Sequence, residues 1–162
     1  MKIPITLNDK DYILESEPSE KLLHVLRREK LVSVKHGCHT ASCGACEVLL
    51  DGKAVASCHV PVGIVRDSQI ITLEYFSKTE FYSDIIKGFE KAGISLCGYC
   101  NAGKIFLTYE IINTMSQPTR EKIAMITNKL NDCCVEQDIL INGILYAYAI
   151  HYEKGKLRKN GN

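Results

Sequence analysis

The chain has 162 residues, 46% of them hydrophobic, and 20 Lys and Arg against 19 Asp and Glu leave a formal charge of +1. This length suits one domain or two small ones with a buried core, and the composition excludes a disordered chain. The near-neutral charge gives no electrostatic reason for a nucleic-acid or membrane partner, and there is neither an apolar run of membrane-spanning length nor a signal-peptide pattern, so a cytoplasmic chain is expected.

The first elements read as short strands. Ile3, Ile5 and Leu7 alternate with polar residues, Asn8-Asp9-Lys10 is turn material, and Tyr12-Ile13-Leu14 predicts a return strand. A helix follows, with Ser16 or Glu17 as cap, Pro18 in its first turn, a stripe of Leu22, Leu23 and Leu26, and a basic end at Arg27-Arg28. Glu47 to Leu50, Asp51-Gly52 and Lys53 to Ala56 form a hairpin signal, because Asp-Gly readily takes the positive φ angles of a type I′ turn. Gln69 to Glu74 predicts a last strand. Strand, strand, helix, strand, strand, strand describes a small α+β domain with a helix over a mixed sheet.

Beyond Phe76 the period changes to that of helices. Phe81, Ile85, Ile86 and Phe89 mark one, stopped at Gly93; Ile105, Phe106, Tyr109, Ile112 and Met115 mark a second, whose aromatic and aliphatic stripe is core material. Pro118-Thr119 opens a third with Ile123, Ile126 and Leu130, and Ile139 to Tyr152 forms a fourth. Four helices of roughly 11 to 15 residues read as a bundle. The predicted domains are 1–76 and 77–162, with a seam between Thr72 and Thr79 that lacks the composition of a flexible tether, so the halves are expected to pack together.

The chain contains eight cysteines, high for a reducing compartment but below the roughly 8–10% of a disulfide scaffold, which favours metal ligation. Cys38, Cys43, Cys46 and Cys58 stand as C-x4-C-x2-C-x11-C, the plant-type [2Fe–2S] ferredoxin spacing. Three thiolates on one short loop can wrap one side of a flat cluster while a fourth closes the other. Gly37 and Gly44, with the small Ala41, Ser42 and Ala45, let backbone N–H groups approach the sulfides. A zinc knuckle would pair two C-x2-C units, and a Rieske centre would need two His, so His36, His39 and His59 are expected to face solvent. Cys97-Gly98-Tyr99-Cys100 precedes the second helix and Cys133-Cys134 lies between the third and fourth, so these could meet at one end of the helices as a second cage. A redox dithiol at Cys97 and Cys100 is the other chemistry open to them.

The run from Gly37 through Cys38, Cys43, Gly44, Ala45, Cys46, Glu47, Asp51-Gly52 and Ser57-Cys58, followed by Cys97-Gly98-Tyr99-Cys100, resembles the small iron–sulfur subunit of molybdenum hydroxylases of the xanthine dehydrogenase type. The resemblance covers nearly the whole chain. It implies a ferredoxin-like β-grasp domain followed by a four-helix bundle domain, with a [2Fe–2S] cluster in each. It also implies a large subunit holding a molybdenum cofactor near the helical cluster and a medium subunit holding FAD near the other. Cys38, Cys43, Cys46 and Cys58 would hold the outer cluster, and Cys97 and Cys100 would begin the inner one, with Gly98 between them.

The sequence departs from that pattern in three places. Leu96 stands where the family has Gln, Asn101-Ala102-Gly103 where it has Thr-Pro-Gly, and Cys133-Cys134 where it has Cys-x-Cys. Alternate residues of an extended segment point the same way and adjacent ones oppositely, so Cys133 and Cys134 need a bend to serve one cluster, or Asp132 serves beside Cys134. The expected function is an electron-transfer subunit with no site for substrate chemistry of its own; the alternatives are a free-standing ferredoxin-type carrier or a one-cluster assembly or structural protein. A free carrier is usually strongly acidic, and the charge of +1 favours a fixed complex. Lys154, Lys156, Arg158 and Lys159 are expected to form a solvated tail, and His24 and His151 carry no ligand spacing.

Overall fold

The computed structural model describes residues 1–130 and 134–159. Its first hairpin joins β1 (Lys2–Leu7) to β2 (Lys10–Glu15), with Asn8 and Asp9 at positive φ in the turn. Period-two alternation turns Ile3, Ile5 and Leu7 inward. Helix α1 (Leu22–Arg28) follows, and its start corrects the expected one: Lys21 is the N-cap, with no side-chain cap, and Pro18 lies in the preceding turn. The reason is tertiary. Lys21 is held extended by a bridge to Pro61, and the Ser16 hydroxyl is bonded to Glu17 and Glu20 instead of to a helix end.

β3 (Glu47–Leu50) and β4 (Lys53–Ala56) form the second hairpin, with Asp51 and Gly52 at φ 49° and 80° as the Asp-Gly signal requires. β5 (Gln69–Ile71) completes a mixed sheet in the order β2-β1-β5-β3-β4, parallel only where β1 meets β5. The last strand ends three residues earlier than its hydrophobic run suggests. The Thr72 N–H is taken by Asn8 Oδ1 at 2.9 Å, and Thr72 becomes the N-cap of a short helix, α2 (Leu73–Phe76).

Four longer helices follow: α3 (Glu80–Lys91), α4 (Asn101–Thr114), α5 (Arg120–Thr127) and α6 (Gln137–Lys159). Thr79 and Thr119 cap α3 and α5 through their side chains, and Gly93, at φ 76°, follows the end of α3. The lengths correct the expectation of four similar helices, since α5 has 8 residues and α6 has 23. Leu130 falls beyond α5 yet packs on the core. The basic C-terminal segment is helix, not tail: Lys154 pairs with Asp84 and Glu80.

Two hydrophobic cores result, and β3 belongs to both. Val48 faces the first, with Ile3, Ile5, Leu14, Leu22, Leu26 and Ile70, whereas Leu49 faces the second, with Phe76, Ile85, Phe89, Phe106 and Ile144. The sheet is thereby covered by α1 on one side and by α4 on the other, so the halves pack together as expected. At the outer edge, Glu110 of α4 accepts the β4 N–H of Ala54 at 2.8 Å. Glu47 points to the same side as Leu49; burial pushes its carboxyl up to about 7 against the pull of Lys129.

Helices α3 and α6 meet closely. A Cβ on Gly88 would lie 2.3 Å from the Ala147 nitrogen, and Asp84, 2% exposed, accepts from Lys154 and sits 3.0 Å from His151 Nδ1. Burial pushes the Asp84 carboxyl up, but the hydrogen bonds from Lys154 and His151 outweigh it and hold it below its ordinary value. Gly88→Ala should therefore cost about 1–3 kcal/mol in denaturant unfolding, although Ala is the better helix former by about 1 kcal/mol. A lowered folded-state pKa stabilises fully above the unfolded value of about 3.9 and is lost as pH falls through the folded value. Asp84→Asn should accordingly be less stable than the parent at pH 7, with the gap closing below about pH 4 in unfolding curves taken across that range.

Candidate metal centres

Between α1 and β3 the chain forms an irregular loop with three of the cysteines. Its base is closed by Lys35 N–H to the Ala45 carbonyl at 2.9 Å, and its approach is anchored where Arg27 bonds the Val34 carbonyl at 2.8 Å. Glu74 fixes the same approach, accepting from the Ser33 N–H at 2.8 Å, the Ser33 hydroxyl at 2.5 Å and the Thr72 hydroxyl at 2.6 Å. Burial raises the Glu74 carboxyl, but these bonds outweigh it and hold it low. Ala41 and Gly44 take positive φ and bend the loop on itself.

The first four cysteines come together as two pairs. Cys38 and Cys43 are close enough to shift each other's ionisation, Cys46 shifts that of Cys58 in the same way, and Cys58 also responds to the charge of Cys38 and Cys43. Cys58 sits in the short 3-10 turn Ser57–His59 after β4, and buried Ser57 ties that turn to the loop by donating its hydroxyl to the Cys46 carbonyl at 2.7 Å. Burial pushes the Cys38 thiol up, but N–H groups of Cys43, Thr40 and Ser42 prevail and hold it at about 5. Burial drives Cys43 up, and drives Cys58, with the neighbouring thiols adding to it, up to about 12. Packed thiols thus resist joint ionisation, which is the situation a cationic iron centre relieves. His36, His39 and His59 are exposed, as expected, although His59 Nδ1 lies 3.1 Å from Cys58 Sγ.

The sulfurs of Cys97, Cys100 and Cys134 lie within 4.8 Å of one another. Cys100 is the buried N-cap of α4, whereas Cys97 and Cys134 are exposed. Gly98, at φ 86°, turns the loop, and its N–H bonds Asn101 Oδ1 at 3.0 Å. The N–H groups of Tyr99 and Cys100 hold the Cys97 thiol down at about 6. Asp132 and Cys133 lie outside the described residues, so the expected bend at Cys133-Cys134 is represented by Cys134 alone. The soft, all-sulfur donors of both groups fit an iron–sulfur cluster.

The two groups are neighbours through glycine. A Cβ on Gly103 would lie 2.5 Å from the Gly44 Cα, and the Gly103 N–H donates to the Gly44 carbonyl at 2.8 Å. A Cβ on Gly37 would lie 2.8 Å from Cys43 Sγ and 3.1 Å from the Tyr99 ring. The Tyr99 hydroxyl donates to the His36 carbonyl at 2.5 Å, and Lys35 Nζ to the Gly98 carbonyl at 3.0 Å. Gly37, Gly44 and Gly98 were legible as loop glycines. Ser57, Tyr99 and Gly103 were visible only as motif neighbours, and their long-range bonds leave no local signal.

Residues 5–70 match the family described as 2Fe-2S iron-sulfur cluster binding domain. The chain is 36% identical to the nicotinate dehydrogenase small FeS subunit of Eubacterium barkeri, across 76% of this chain and 79% of that one. It is 34% identical to the xanthine dehydrogenase iron-sulfur-binding subunit of Escherichia coli O157:H7, across 88% and 91%. Among solved structures it is similar to quinoline 2-oxidoreductase from Pseudomonas putida 86, at TM-score 0.81 and 26% identity, covering 94% of this chain and 96% of the matched one. It is also similar to aldehyde oxidoreductase from Desulfovibrio gigas, at TM-score 0.83 and 29% identity, covering 95% of this chain but 17% of that longer one.

Because backbone stands on both sides of the Gly44–Gly103 approach, Gly103→Ala should destabilise the chain by about 1–3 kcal/mol in denaturant unfolding. Gly98→Ala, with open space around its Cβ, should cost less, through positive φ alone.

Proposed function

The chain belongs to the [2Fe–2S] subunits of molybdenum hydroxylases of the xanthine dehydrogenase type, and on that footing we propose how its own residues serve the electron transfer that defines the family. Cys38 and Cys43 hold one iron of the outer cluster and Cys46 and Cys58 the other, a reading supported by the C-x4-C-x2-C-x11-C spacing and by the way the thiols of each pair shift one another's ionisation. Gly37 and Gly44 admit the loop backbone to that cluster. Cys97, Cys100 and Cys134, with Cys133 or Asp132, hold the inner one, supported by the convergence of three sulfurs. A [2Fe–2S] cluster, when bound, accepts and gives up one electron at a time.

The chain's task is to hold, space and insulate. The Gly44–Gly103 contact and the Tyr99 and Lys35 bonds keep the two cysteine groups side by side. We read the exposed Cys97–Tyr99 and Cys134 as facing a large subunit that carries a molybdenum cofactor, and the outer loop as facing a medium subunit that carries FAD. Residues 1–76 and 77–162 then form a β-grasp ferredoxin unit and a four-helix unit, a division supported by the two cores, with Leu49 crossing between them. No described cysteine forms a disulfide, which supports a reducing compartment such as the cytoplasm, and no described helix is long and apolar enough to cross a membrane.

Iron and acid-labile sulfide analysis with EPR of the reduced, anaerobically purified protein tests this reading. About four iron per chain and two signals are expected, with Cys43→Ser abolishing one signal and Cys100→Ser the other. About two iron and one signal would remove the inner cluster, and zinc in place of iron would overturn the assignment. Co-purification with larger subunits separates a fixed subunit from a free carrier.

A further inference from the structure

Helix α4 is buried on every side from Ala102 to Thr108, and one residue in that stretch is a lysine. Lys104 is 3% exposed, and its Nζ donates to Cys100 Sγ at 3.0 Å. Long charged side chains normally carry their heads back to water, and burying one is unfavourable unless it meets a group that needs it. This one is directed along its own helix, one turn back, to the sulfur of the N-cap residue. Cys100 therefore meets two sources of positive potential, the amino end of a 14-residue helix and the lysine head group.

We propose that Lys104 is a positioning and tuning residue for the inner centre, raising the reduction potential of a cluster bound at Cys97, Cys100 and Cys134. The inference rests on the cluster assignment proposed above. One-electron reduction adds one negative charge to a site whose nearest sulfur is buried; no bond breaks and no proton is transferred. A neighbouring donor-only cation favours the more negative state, and hydrogen bonds to sulfur and net charge are among the levers that set such potentials. In the outer group Cys38 and Cys43 receive backbone N–H groups and Cys58 lies beside His59, so the effect of Lys104 is expected at the inner centre.

The test is an EPR-monitored redox titration of the purified, cluster-loaded protein and of Lys104→Met, Lys104→Gln and Lys104→Arg, with Cys100→Ser identifying the inner signal. Lys104→Met and Lys104→Gln should shift the one-electron equilibrium of that signal at least tenfold toward the oxidised form, a drop of about 59 mV, with the outer signal unmoved and Lys104→Arg close to the parent. Unchanged inner potentials, or equal shifts in both signals, would overturn the proposal. Loss of the inner cluster in both neutral variants would also overturn it, in favour of a purely structural lysine. A parent protein with about two iron and one signal would instead defeat the cluster assignment itself, before any substitution is compared.

Discussion

Two glycine backbones in van der Waals contact govern the arrangement of this chain. Gly44 belongs to the loop of the first cysteine group and Gly103 to the first turn of the helix that carries the second, and an N–H to carbonyl bond joins them. Neither can carry a side chain without parting the two segments. The elements around them converge on keeping that contact in place: β3 packs on both faces, α4 lies across the sheet, and Glu74 pins the loop's approach to the seam.

The chemistry of the two groups follows from how they are enclosed. The outer thiols are partly buried and crowded, so burial and mutual repulsion oppose their joint ionisation, while backbone N–H groups favour one thiolate at Cys38. The described inner cysteines are more open, with Cys97 and Cys134 exposed and Cys100 buried. The same soft donors are therefore set in different surroundings, one more enclosed and one more exposed.

Much of this was legible in the sequence because it is local. The Asp51-Gly52 turn, the alternation of Ile3, Ile5 and Leu7, the C-x4-C-x2-C spacing and the helix opening at Pro118-Thr119 each need only a few neighbouring residues to be read. What was misread depends on distant partners. The start of α1 is set by Pro61, the end of β5 by Asn8, and the order of the C-terminal basic segment by Asp84 on another helix. Lys104 was invisible for the same reason: in sequence it is one charge in an apolar run, and only the fold brings it onto a sulfur.

The bond from Ala54 to Glu110 reaches beyond the stability of one hairpin. An edge strand with open N–H groups invites another strand to add to the sheet, whether from a partner or from a second copy of the same protein. Here a carboxylate from the helical half occupies one such position on β4. That margin of the sheet is blunted against strand addition by the chain itself, which favours assembly through side chains and loops and guards the free subunit against edge-to-edge polymerisation while it waits for its partners.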